Sequence, residues 1–153
     1  QFDMVRLGIG LYGVGSSQSG PALKEVSALR SVITQIKPIR EGETIGYGRA
    51  GLLPGQGRIA TVPIGYADGY PRLLSEGRGK VLVNGHLAPV VGKVCMDMTM
   101  IDITSIPGVK EGDPVLLFGP GLPVADLANW ANTIPYEILT GISERVKRIY
   151  YEE

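Results

Sequence analysis

The 153-residue chain holds one cysteine and one histidine. The lone Cys95 excludes an intrachain disulfide framework and fits a reducing compartment. Cys95 and His86 together fall short of the three or four nitrogen and sulfur ligands of a zinc site, so no metal is expected. Long apolar runs are missing too. None approaches the ~20 residues that cross a bilayer as a helix, and no membrane partner is expected. Charge of one sign is not in excess: Lys plus Arg is 15 and Asp plus Glu is 15. That balance leaves no footprint for nucleic acid or an anionic lipid surface. The opening QFDMVRLGIG lacks the basic, apolar and small-residue regions of a secretory signal. It also lacks an initiating Met and starts inside an apolar run, so residue 1 is expected to lie within a longer polypeptide. These absences describe a water-soluble, cytoplasmic globular domain, long enough for one sizeable core.

What the chain has in plenty is turn residues, with Gly at 22 and Pro at 11. That content suits short strands joined by tight turns. Phe2–Tyr12 has a strand-like core ending in glycines, and the polar segment 14–21 is the best candidate boundary. From Val26 to Arg40 apolar and polar residues alternate over much of the run, and its β-branched content favours strand. Further strands are expected at Gly57–Ile64, Lys80–Val83, Leu87–Val94, Met98–Ile103, Pro114–Phe118 and Arg145–Tyr150. Asn84-Gly85 between two of them is a strong hairpin signal for a type I′ turn. The clear helix is Val124–Asn132, with apolar residues at Val124, Leu127, Ala128 and Ala131. A second short one is expected at Pro135–Leu139, with Pro135 at its first position. Many short strands and one or two short helices predict a mainly β, barrel-like fold.

Four clusters carry groups suited to chemistry, and each has a plain structural reading beside it. Arg6-Leu7-Gly8-Ile9-Gly10 sets a cation before glycines, which lets backbone N–H groups approach a phosphate. It equally reads as a strand entering a turn with a solvated arginine. Gly46-Tyr47-Gly48 leaves a phenol poorly screened by its neighbours, or is a common aromatic turn. Residues 63–72, PIGYADGYPR, suit a loop lining a cleft, or a surface turn built from Gly, Asp and Pro. Gly92-Lys93-Val94-Cys95-Met96-Asp97 invites a nucleophile reading of Cys95. Its apolar neighbours and the lack of a nearby histidine point instead to a packed, inert thiol. His86, in NGHLAP, reads as a turn residue rather than a base.

Taken in order, these stretches resemble the alanine racemase family across nearly the whole chain. The matching segments are MVRLGIGLYG (4–13), IGYGR (45–49), PIGYADGYPR (63–72), APVVGKVCMDM (88–98) and NTIPYEILTGISERVKR (132–148). GYADG followed about thirty residues later by GKVCMD is a specific pairing. The resemblance implies that residues 1–13 are the end of an amino-terminal (β/α)8 barrel and residues 14–153 a carboxy-terminal β domain. It implies pyridoxal 5′-phosphate as cofactor, held by a lysine of the barrel outside this chain, and a homodimer in which the β domain of one subunit serves the barrel of the other. The reaction implied is interconversion of L- and D-alanine, the latter for cell-wall peptidoglycan. Tyr47 matches the base that acts on the L-enantiomer. Arg6 matches the arginine facing the pyridine nitrogen, Gly8 and Ile9 the backbone donors to the phosphate, and Tyr136 the phosphate-binding tyrosine. Met96 matches the residue whose main chain receives the substrate carboxyl region. Tyr66, Arg72, Lys93, Asp97 and Ile134 match positions lining the substrate access channel.

Each assignment has chemical sense. Removing an α-proton from one face of an amino acid and returning it on the other requires two opposed bases and an electron sink. A free phenol titrates near pH 10, so a tyrosine base needs help from its surroundings; Arg49 is the nearest cation in sequence. A guanidinium donates hydrogen bonds and accepts none, so a pyridine nitrogen facing Arg6 stays unprotonated. One departure from the family pattern is Lys93, where arginine is frequent; lysine keeps the charge and loses the bidentate fork. Separated from the barrel, the 153 residues are expected to be inactive and to hold no cofactor covalently. Two other readings stay open at this stage: a racemase for serine or another amino acid, and a small β-barrel binding module. The neutral charge and 7% aromatic content count against a nucleic-acid module.

Overall fold

The computed structural model describes residues 3–15 and 23–151. Seven strands dominate: β1 (Leu29–Val32), β2 (Gln35–Ile39), β3 (Gly57–Val62), β4 (Lys80–Val83), β5 (His86–Val91), β6 (Thr99–Asp102) and β7 (Pro114–Phe118). Two short helices follow, α1 (Val124–Trp130) and α2 (Pro135–Gly141). The strands form one sheet in the order β1-β7-β4-β5-β6-β3-β2, and every pairing is antiparallel. β1 and β2 stand at opposite ends of that order, yet only residues 33 and 34 separate them in sequence. The sheet must therefore curl until its ends approach. At that seam Ile33 N–H donates to the Asp113 carbonyl at 3.0 Å and Thr34 N–H to the Thr61 carbonyl at 2.9 Å. The expected mainly β, barrel-like architecture is what the chain adopts.

Alternation places the core. In β4 the buried residues are Val81 and Val83, in β3 Ile59, Ala60 and Val62, and in β7 Val115, Leu117 and Phe118. All but Ile59 belong to one core, and Ile59 joins a second cluster with Ile39, Ile45, Leu53, Val91 and Met100. The β4–β5 hairpin turns at Asn84 (φ 47°) and Gly85 (φ 78°), both left-handed as a type I′ turn requires. α1 closes one side with Val124, Leu127 and Ala128, and α2 adds Ile138 to the same core. Pro135 opens α2, where its missing N–H costs nothing. The run from Val26 to Arg40 breaks into two strands, and Pro38 sits in β2, an end strand of the order, where a missing donor is tolerated.

Two expected strands are absent. Residues 3–12 contain no strand; Ile9–Tyr12 forms a single 3-10 turn that ends at Gly13 (φ 78°). Met4, Val5 and Leu7 are each more than 70% exposed. A strand exists only against a neighbour, and among the described residues no strand pairs with that segment. Residues 145–150 are likewise not a strand. Val146 N–H closes a turn onto the Ser143 carbonyl at 3.1 Å, and the Arg148 guanidinium donates to the carbonyls of Ile142, Ser143 and Val146. The side chains bend this tail into turns and leave it no edge to pair with. Most of the candidate boundary at 14–21 lies outside the described residues.

Candidate active site

Tyr47 sits at the tip of a tight loop. Ile45 and Gly51 exchange both backbone hydrogen bonds, at 2.8 and 2.9 Å, and five residues turn between them. Gly46 (φ 72°), Gly48 (φ 65°) and Arg49 (φ 55°) all take left-handed conformations, which is why glycine flanks the tyrosine. The loop base is pressed against β5, since a Cβ on Gly51 would lie 2.9 Å from the Gly92 nitrogen. The result is a phenol held outward on a braced turn, 79% exposed. Arg49 is not directed at it: its Nε donates to Thr44 Oγ1 at 3.1 Å. The cation the fold brings to this loop is Lys93, whose Nζ lies 4.0 Å from where a Gly48 Cβ would be.

A second group assembles from the two ends of the chain. Tyr136, in the first turn of α2, receives a hydrogen bond on its hydroxyl from Ile9 N–H at 3.1 Å. A Cβ on Gly8 would come within 3.0 Å of the same hydroxyl. Gly8, Ile9 and Tyr136, which sequence reasoning assigned together, are thus in contact across 127 residues. Arg6, two residues earlier, is exposed. Ile134, just before α2, is 59% exposed.

A third group joins the 63–72 loop to the 92–98 loop. Tyr66 N–H donates to the Cys95 carbonyl and Ala67 N–H to the Met96 carbonyl, both at 3.0 Å. The approach is so close that a Cβ on Gly65 would fall 2.2 Å from the Cys95 oxygen. Thr99, fully buried, anchors the base of this junction by donating to the Ile64 carbonyl at 2.7 Å. Tyr66 and Met96 remain exposed. The segment 72–79 is tied to the same loop: Ser75 Oγ accepts from Val94 N–H at 3.0 Å and donates to the Arg72 carbonyl at 2.5 Å. Tyr66, Arg72, Lys93, Met96 and Asp97 therefore lie on mutually bonded loops, whereas no hydrogen bond or ion pair joins Tyr47 to Tyr136 among the described residues. Cys95 is half-buried with its Sγ near its neighbour's carbonyl, Lys93 O at 3.5 Å, which fits a packing role. His86 begins β5 rather than sitting in the turn.

Sequence reasoning missed Asp68 and Arg145. Asp68 Oδ2 accepts from Gly65 N–H at 2.8 Å, and its Oδ1 accepts from Arg145 Nε at 2.7 Å. The second arm of Arg145, Nη2, reaches Asp97 Oδ1 at 2.5 Å. Partial burial pushes the Asp68 carboxyl upward, but the bonds from Arg145 and Gly65 outweigh it and hold the group below its ordinary value. Both residues lie inside the matched motifs, but nothing in the spacing of YADG and SERV couples them.

The fold of this domain is shared with solved alanine racemases. The alanine racemase of Streptomyces coelicolor superposes with a TM-score of 0.91 at 38% identity, over 99% of this chain and 42% of that one. A structure from Bartonella henselae, described as alanine racemase with covalently bound pyridoxal phosphate, superposes at 0.88 with 40% identity, over 94% of this chain and 40% of that one. Among curated proteins, the alanine racemase of Geobacter sulfurreducens is 46% identical over 156 residues. The chain spans 97% of itself and 41% of that relative. The family model for the alanine racemase C-terminal domain matches residues 26–150, and the chain belongs to that family.

Proposed function

We propose that the polypeptide carrying this domain interconverts L- and D-alanine with pyridoxal 5′-phosphate, and that Tyr47 is the base acting on the L-enantiomer. The observation that carries the reading is the Tyr47 turn. A phenol exposed to 79% on a loop closed by two backbone hydrogen bonds has a fixed base and a free tip, as proton transfer at a defined atom requires. The comparisons supply the substrate class, since the relatives bear the name alanine racemase.

The donor set at the chain's two ends fits the cofactor's phosphate. The Tyr136 oxygen accepts from Ile9 N–H, which leaves the phenolic proton to donate to an anion. Gly8 has no side chain to fill the space before that hydroxyl, where a Cβ would approach to 3.0 Å. Gly8 N–H and the Tyr136 hydroxyl would donate to the phosphate, Ile9 N–H, engaged here by the Tyr136 oxygen, would orient that hydroxyl, and Arg6 would donate to the pyridine nitrogen. When bound, the cofactor withdraws electrons from the amino acid's α-carbon and makes its α-proton removable. Tyr47 Oη then takes that proton from the L-face or returns it there. Met96 N–H, which has no hydrogen-bond partner among the described residues, binds the substrate carboxylate. Tyr66, Arg72, Lys93, Asp97 and Ile134 line the approach, with the cations of Arg72 and Lys93 drawing in a carboxylate.

No hydrogen bond or ion pair joins Tyr47 to the Ile9–Tyr136 pair among the described residues, which fits a homodimer in which each supplies a different active site. Exposed Met96, Tyr66 and Ile134 fit a surface that meets a barrel in the whole enzyme. Such a protein is cytoplasmic and feeds D-alanine to peptidoglycan assembly. The test is racemisation by the whole polypeptide, followed by polarimetry. Tyr47→Phe is expected to lower kcat by ~10²-fold or more, the usual worth of a positioned acid–base group. A variant that keeps its activity within a few-fold overturns the reading.

A further inference from the structure

Arg145 joins two carboxylates that lie 77 and 48 residues away in sequence. The two bonds use different nitrogens of one planar guanidinium, Nε to Asp68 and Nη2 to Asp97. Lysine, a single point donor, does not reproduce that fork. The Asp68 side chain is only 14% exposed and is held from three directions: Arg145 on Oδ1, Gly65 N–H on Oδ2, and Ser143 N–H on its backbone carbonyl. Asp97 is a different kind of partner, 56% exposed on the neighbouring loop. A half-exposed ion pair of this sort adds little to global stability. What it does is fix position, because it fastens the 95–97 loop to the better-buried 65–68 turn. Between the two anchors lies Met96, with its carbonyl bonded to Ala67 N–H at 3.0 Å and its own N–H unpartnered among the described residues.

We propose that Arg145 is a positioning residue for the substrate carboxylate: by bridging Asp68 and Asp97 it sets where the Met96 N–H stands. The inference rests on the racemase reading above. In the wild-type enzyme the bridge keeps that donor in register with the turn below it. Without the bridge, Asp97 is released and the loop holds by its backbone bonds alone. The carboxylate then meets a donor of variable position, which weakens binding more than it slows proton transfer.

The test uses the whole enzyme with Arg145→Met, Arg145→Lys and Tyr47→Phe side by side. Steady-state kinetics are measured for L- and D-alanine, and amide exchange is followed by mass spectrometry. Arg145→Met is expected to raise KM about tenfold with kcat within about threefold, the pattern of lost uniform binding. Arg145→Lys, keeping one of the two bonds, falls between. Faster exchange is expected in residues 65–69 and 95–98 and not elsewhere. Should Arg145→Met fail to fold, Asp97→Ala removes the exposed arm alone and is expected to raise KM in the same way. An unchanged KM overturns the proposal, as does a lowered melting temperature with accelerated exchange throughout the domain. If Tyr47→Phe stays active, the racemase reading falls whatever Arg145 does. If Tyr47→Phe is inactive and KM does not move in the Arg145 variants, the positioning role alone falls.

Discussion

Gly65→Ala tests how tightly the 63–72 and 92–98 loops are packed together. Gly65 has extended backbone angles, φ −148° and ψ −165°, so an alanine suffers no strain of its own there. The cost is steric. The new Cβ would meet the Cys95 oxygen at 2.2 Å, the Met96 oxygen at 2.3 Å and the Met96 carbonyl carbon at 2.5 Å. All three are backbone, so no side chain can rotate away. Retreat to ordinary contact takes the 95–96 loop about 1 Å outward, and the two 3.0 Å bonds from Tyr66 and Ala67 then exceed hydrogen-bonding distance. Two such bonds contribute ~1 kcal/mol each, and overpacking adds ~1–3 kcal/mol. The expected loss is ~3–5 kcal/mol by urea denaturation of the 153-residue domain, with a raised KM in the whole enzyme. Gly55→Ala is the control, because a Cβ there meets nothing within 4 Å. A Gly65→Ala loss under ~0.5 kcal/mol, or no larger than the control, is inside the range of a neutral surface change and refutes the argument.

Other expectations follow from particular groups. Tyr70 is fully buried and its hydroxyl has no hydrogen-bond partner among the described residues; burial pushes its titration far upward. Tyr70→Phe is therefore expected to leave stability unchanged or raise it by up to ~1 kcal/mol, and a clear loss in a melting curve would reveal a partner. The Asp68 carboxyl is held below its ordinary value near 3.8. Its contribution is complete above that pH and is lost as pH falls through the lower folded value. Asp68→Asn is expected to flatten the acid limb of the stability profile, and an identical limb contradicts this. If Tyr136 donates to the cofactor phosphate as proposed, Tyr136→Phe removes one charge-assisted bond, worth ~1.5–3 kcal/mol. It is expected to weaken cofactor retention about tenfold or more on dialysis, and unchanged retention dissociates Tyr136 from the phosphate.

The parts of the fold legible in sequence were those set by local chemistry. Asn84-Gly85 demands left-handed backbone, and short apolar runs flank it, so β4 and its turn could be read directly. Pro114–Phe118 and Pro135 likewise announce their own elements. The segment before Gly13 was misread because an apolar run looks like a strand whether or not a neighbour exists to pair with it. Arg145 was misread for the opposite reason: its two partners come from distant loops, and only the folded chain shows that the tail turns toward them. At the site, Tyr47 stood out through its flanking glycines, but the cation that approaches its loop did not. Arg49 is adjacent in sequence and bonds Thr44, while Lys93 arrives through the Gly51–Gly92 contact.

The central claim is that Tyr47 moves the proton on one face of the amino acid and an opposing base of the barrel moves it on the other. The most direct measurement is α-proton exchange in deuterium oxide by the whole Tyr47→Phe enzyme, followed separately for each enantiomer by proton NMR. The account predicts that D-alanine still exchanges without inverting while exchange from L-alanine falls by ~10²-fold or more. Equal exchange from both enantiomers at the wild-type rate contradicts it.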